Sequence, residues 1–109
     1  MIVVVFEVTM REGQAPRYFD LAQVLRPELE KIDGFISVER FESLTTPGKY
    51  VSLQFWRDIQ AVETWRQQAG HRIAQRLGKS EIFADYRITI AESLRSYTFA
   101  ESRAREAAT

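Results

Sequence analysis

The chain has 109 residues, 45% of them hydrophobic and 12% aromatic, the length of one domain with enough apolar side chains for a packed core. Fifteen basic and fifteen acidic residues cancel, so no net field draws the protein to phosphate backbones or anionic membrane, and neither is an expected partner. With no cysteine, disulfides, thiolate metal sites and a cysteine nucleophile are excluded together.

The apolar start, Met1 to Phe6, is short and lacks a basic flank, so it reads as a strand and not a leader. No segment approaches the ~20 apolar residues of a membrane helix, and the expected setting is soluble and cytoplasmic. Ile2 to Met10 is the first predicted strand. Its even positions (Ile2, Val4, Phe6, Val8, Met10) are all apolar, while the odd ones pass from Val3 and Val5 to Glu7 and Thr9. After a turn at Arg11–Gln14, Ala15 to Ile32 carries a helical period through Tyr18, Leu21, Leu25, Leu29 and Ile32. Pro16 suits the first turn; Pro27 predicts a kink or break near Leu25-Arg26. Asp33-Gly34 stops the helix with a residue able to take positive φ.

Phe35 to Leu44 alternates as a second strand, Phe35, Ser37, Glu39 and Phe41 against Ile36, Val38, Arg40 and Glu42. Thr45-Thr46-Pro47-Gly48 is a hairpin turn, and Tyr50 to Trp56 is the third strand. Asp58 is placed as N-cap of a second helix, on which Ile59, Val62 and Trp65 form the apolar stripe. Ala69-Gly70 interrupts that helix, which resumes at His71 and runs to about Phe83 with Ile73, Ala74 and Leu77 apolar. Its cations, Arg57, Arg66, Arg72, Arg76 and Lys79, are interspersed with Asp58, Glu63 and Glu81, as on a solvated face. Tyr86 to Tyr97 is the last strand, with a bend at Ala91-Glu92.

The order β-α-β-β-α-β predicts an α+β, ferredoxin-like fold over residues 1–99, an antiparallel sheet with both helices on one face. Residues 100–109 read as a frayed or weakly helical tail. Such a sheet leaves its other face bare, Val3 and Val5 included, unless a second sheet covers it. A homodimer is therefore expected.

One stretch carries a more specific signal. Trp56 closes a strand, Trp65 follows nine residues on within a helix, and His71 stands six beyond. With the Gly34-Phe35 entry to the second strand, this pattern resembles the antibiotic biosynthesis monooxygenase family over about residues 1 to 98. The resemblance implies a dimeric α+β barrel with a pocket between sheet and helices in each subunit. It also implies cofactor-independent oxygenation of phenols and quinols, haem degradation, or quinol oxidation as candidate activities. The haem-degrading branch uses an Asn on the first strand, a Trp on the second helical region and a His ten residues after it. Here those positions hold Phe6, Trp65 and Gln75, so only the Trp matches, and neither haem nor another cofactor is expected.

In the oxygenase reading the substrate supplies the electrons to O₂, and the protein excludes water, holds the ring and takes a proton. The candidate catalytic pair is His71 as base and Trp65 as stacking partner. Val4, Phe6 and Val8 would make an apolar floor, with Arg66, Tyr86 and Arg87 as candidates to hold a phenolate. Tyr86 and Arg87 are adjacent in a strand, so at most one faces the pocket. Trp65 also fits a core position, His71 a helix cap, and Trp56 a structural role or a dimer seam. Glu7 is placed to pair with Arg40 or Arg87 across the sheet. A non-catalytic small-ligand binder or regulatory dimer on the same fold is the alternative. A lone histidine without cysteine offers no zinc site.

Overall fold

The structure, a computed structural model, describes residues 1–108. Its elements run β1 (Ile2–Met10), α1 (Ala15–Glu30), β2 (Phe35–Glu42), β3 (Lys49–Trp56), α2 (Ile59–Gln67), α3 (Ala69–Leu77), a π-helical turn (Gly78–Ile82), β4 (Phe83–Glu92) and α4 (Phe99–Ala108). The four strands form one sheet in the order β2-β3-β1-β4, with every neighbouring pair antiparallel. The ferredoxin-like α+β arrangement is thus present, and among the described residues no helix is long and apolar enough to cross a membrane.

β1 is the organising strand because it pairs on both sides. Its even residues face the helices: Val4 lies in one buried cluster with Leu29, Val38, Trp56, Val62 and Trp65, and Val8 in a second with Tyr18 and Ile82. The odd face carries Val3 and Val5, opposite Phe55 and Leu53 of β3. Neither buried cluster draws on that face. Glu7, on the same side, pairs with Lys49 at 3.1 Å and not with Arg40 or Arg87. Arg40 projects from the opposite side of the sheet, and Lys49, the partner of Thr9, is the diagonal neighbour of Glu7, two residues from its partner Val51.

Several boundaries depart from the sequence expectation, each for a local reason. The first helix does not break at Pro27. The residue is exposed, so the carbonyl of Gln23, deprived of its helical donor, faces solvent, while buried Leu29 holds the final turn on the core. Gly34 ends the connection with φ +96°, and a side chain there would press on Ala61. Its carbonyl accepts the Arg57 N–H at 2.7 Å. In β2 the register shifts between Phe35 and Ser37. This bulge turns Phe35 onto the helix-facing side beside Trp56, at 5.3 Å between ring centres, and leaves Ile36 outside.

β4 starts at Phe83 and stops at Glu92, where its partner in β1 runs from Met10 to Ile2. An edge strand lasts as long as its neighbour, so the predicted extension to Tyr97 has nothing to pair with. The helical segment before it ends earlier than Phe83, in the π-helical turn closed by Phe83 N–H on the Gly78 carbonyl. On α2 the buried stripe is Ala61, Val62 and Trp65, with Ile59 at the solvent side; Ile73 of α3 is exposed likewise.

Trp56 is a core residue, wholly buried, with its indole N–H donating to Gln54 at 3.0 Å. Urea denaturation should therefore show Trp56→Ala losing about 3–5 kcal/mol, while Ile59→Ala changes stability by under about 0.5 kcal/mol.

Candidate functional site

Between the sheet and the three helices α1 to α3 lies a cavity of about 490 Å³, within the ~300–1,000 Å³ range of small-molecule sites. Its helix wall is set by the break between α2 and α3. Gln68 leaves helical conformation at φ −64°, ψ 133°, and its side-chain oxygen accepts the His71 N–H at 2.7 Å, capping the new helix. This is an N-cap at Gln68, so α3 begins at Ala69, two residues before the expected His71. Gly70 sits where a side chain would crowd Gln68 and Leu25 of α1, so its small size admits the close approach of the two helices.

The break folds His71 back over Trp65. The two rings stack with centres 4.5 Å apart and planes 17° from parallel. His71 Nδ1 lies 3.1 Å from the Trp65 carbonyl, which also accepts the Gln68 N–H at 3.1 Å. A carbonyl only accepts, so Nδ1 carries the proton and Nε2 is the basic nitrogen. Burial pushes the His71 pKa below its ordinary value of 6.5, outweighing the Trp65 carbonyl bond that raises it. The imidazole is therefore neutral at neutral pH, as a proton acceptor requires.

Six of the expected site residues border this cavity: Val4, Phe6, Trp65, Arg66, His71 and Tyr86. Trp65 is only 6% exposed: it packs in the core cluster with Val4, Leu29 and Val62 and gives one face to His71. Arg66 is largely exposed beside Glu63 at 3.7 Å. Val8 and Arg87 do not reach the cavity. Val8 is sealed beneath Tyr18 and Ile82, and Arg87 stands opposite Glu7 on the other side of the sheet.

The sequence reading missed Arg40, Ser52 and Tyr18, which also border the cavity. Arg40 of β2 and Ser52 of β3 are register partners, and Arg40 Nε reaches the Tyr18 hydroxyl at a long 3.4 Å. The signal lay in parity, since Arg40 shares a face with Val38, and Ser52 with Gln54 and Trp56. Among the described residues no three His, Asp or Glu side chains gather as a metal site.

The family model described as antibiotic biosynthesis monooxygenase matches residues 1–77. The chain belongs to this family. Among relatives of the antibiotic biosynthesis monooxygenase family, the jasmonate monooxygenase ABM of Pyricularia oryzae is 40% identical over 92 residues. That match covers 84% of this chain and 43% of the relative, so the chain spans less than half that protein's length. Two solved structures share the fold. Rv0793 from Mycobacterium tuberculosis superposes with a TM-score of 0.78 at 15% identity, covering 89% of this chain and 98% of that one. SO0527 from Shewanella oneidensis gives 0.77 at 17% identity, covering 84% and 89%.

Two consequences of the His71 environment are measurable. If Nε2 accepts a proton in turnover, the rate should rise with pH along a limb whose midpoint lies below 6.5, and His71→Gln should abolish that limb. In stability the sign runs the other way from a stabilised cation. The folded pKa is depressed, so the unfolded chain binds the proton more readily. Denaturation midpoints should hold above pH 6.5 and fall as the pH drops below it, less steeply in His71→Gln.

Proposed function

We propose that this chain is a cofactor-independent monooxygenase for a small, ring-containing phenol or quinol. The observation that carries the reading is a neutral imidazole, stacked on Trp65, at the wall of an apolar cavity in a member of this family. The name of the Pyricularia oryzae relative supports oxygenase chemistry on a small cyclic molecule.

The chemistry asks little of the protein. A phenol bound against Phe6 and Val4 gives its proton to Nε2 of His71, and the electron-rich phenolate reduces O₂. One oxygen atom enters the ring, the other leaves as water, and the phenol becomes a quinone. The substrate thereby supplies all four electrons. His71 is the proton acceptor, Trp65 the positioning residue that fixes its plane, and the apolar walls exclude water. Oxygen consumption over a panel of phenols and hydroquinones tests this. Turnover by the native chain should fall about 10²- to 10⁴-fold in His71→Gln, and in Trp65→Ala the His71-dependent pH limb should flatten. No oxygen consumption with any panel member would leave the non-catalytic binder as the reading.

The same chain is proposed to act as a homodimer through the sheet face that the helices leave uncovered. Val5, Leu53 and Phe55 share that face, and Phe41 is 46% exposed there. An apolar patch of this kind on a small domain calls for a partner. Sedimentation should give twice the chain mass for the native protein and the single-chain mass for Leu53→Glu.

A further inference from the structure

We infer that the cavity takes a hydrophobic carboxylate, its anionic head held by Arg40 with the hydroxyls of Ser52 and Tyr18. This inference rests on the reading of the cavity as the substrate site and adds what the substrate must carry.

The first observation is a charge imbalance. The chain has equal numbers of acidic and basic residues, yet the cavity lining contains Arg26, Arg40, Arg66 and Lys79 and no Asp or Glu. Arg26 and Arg66 are answered by Glu30 and Glu63. Among the described residues, Arg40 has no carboxylate in ion-pair contact. It is partly buried against the ring of Tyr18, 5.7 Å from its centre. A partly desolvated guanidinium without a counter-charge is costly, and Arg40 borders the cavity.

The second observation is independent. Ser52 is 2% exposed, and among the described residues its hydroxyl has no hydrogen-bond partner. Buried hydroxyls are almost always paired. This one lies opposite Arg40 in the β2–β3 register, where side chains stand about 5 Å apart, and it borders the same cavity. Arg40 uses Nε toward the Tyr18 hydroxyl, which orients the guanidinium and, among the described residues, leaves both terminal amino groups without a hydrogen-bond partner. A planar fork with adjacent hydroxyl donors fits a carboxylate, which accepts through both oxygens. A free phenol ionises near pKa ~10 and brings no charge at neutral pH. The carboxylate end then sits on the sheet, and the apolar body extends toward Trp65 and His71 on the helices.

The test is calorimetric titration of the full chain with 6-hydroxy-2-naphthoic acid, its methyl ester and 2-naphthol. The acid should bind at least about tenfold tighter than the ester, as a charge-assisted pair provides. Arg40→Gln should remove that preference while leaving ester and 2-naphthol within about twofold, and Ser52→Ala should weaken the acid alone. An acid that binds no tighter than its ester overturns the inference, as does a preference that survives Arg40→Gln and is lost in Lys79→Gln. Should Arg40→Gln lose every probe, the comparison passes to Arg40→Lys. There, selective weakening of the acid supports the inference and equal loss of acid and ester overturns it. Oxygen consumption on the same samples separates the two readings. Phenol turnover without acid preference removes the carboxylate head and leaves the oxygenase, whereas Arg40-dependent acid binding without turnover does the reverse.

Discussion

The two-residue repeat of β1 is the constraint on which the rest of the molecule depends. Because this strand pairs with both β3 and β4, its parity decides which side chains of each neighbour look toward the helices. Val4 and Phe6 bring Gln54 and Ser52 to the cavity on one side and Ile90 and Ile88 on the other. A slip of one residue toward the C-terminus would put Val5 and Glu7 where Val4 and Phe6 stand, a carboxylate in place of the aromatic floor. The unbroken apolar run of even positions specifies the register, and so positions groups on strands far apart in sequence.

The helix wall depends on a different device. A continuous helix through Gln68 would place His71 six residues on from Trp65, more than one turn further along the axis and on a different face. Breaking the chain at Gln68 and capping the new helix with the same residue brings the imidazole onto the indole instead. One carbonyl, that of Trp65, both receives the helix-ending N–H and fixes the histidine tautomer. Local backbone geometry and proton chemistry are therefore set at one atom.

How much of this was legible in the sequence follows from the range of each determinant. β1, the Gly34 stop and the Asp58 cap, which accepts the Ala61 N–H at 2.9 Å, rest on neighbours a few residues away and were readable. The fate of Pro27 and the end of β4 depend on a distant core and a partner strand, so propensity misjudged both. Phe35 was assigned to the wrong face because the β2 bulge adds a residue that alternation does not count. The helix-side half of the candidate site, Trp65 and His71, showed through the family resemblance that the spacing of Trp56, Trp65 and His71 carries. Arg40, Ser52 and Tyr18 did not, because each is an ordinary polar strand or helix residue until two registers and a helix packing bring them together. Val8 has the right parity for the floor and is lost to it only because Tyr18 and Ile82 cover it.

β4 has a further consequence. It is an edge strand, and its helix-facing residues Ile88 and Ile90 are 48% and 47% exposed although they border the cavity. Water over these side chains finds few partners on the protein. A ligand body that lies along them releases that water, and the hydration heat capacity of the freed surface goes with it. The temperature dependence of such a ligand's binding enthalpy would carry the contribution of this uncovered strand, separately from whatever polar group fixes the ligand's orientation.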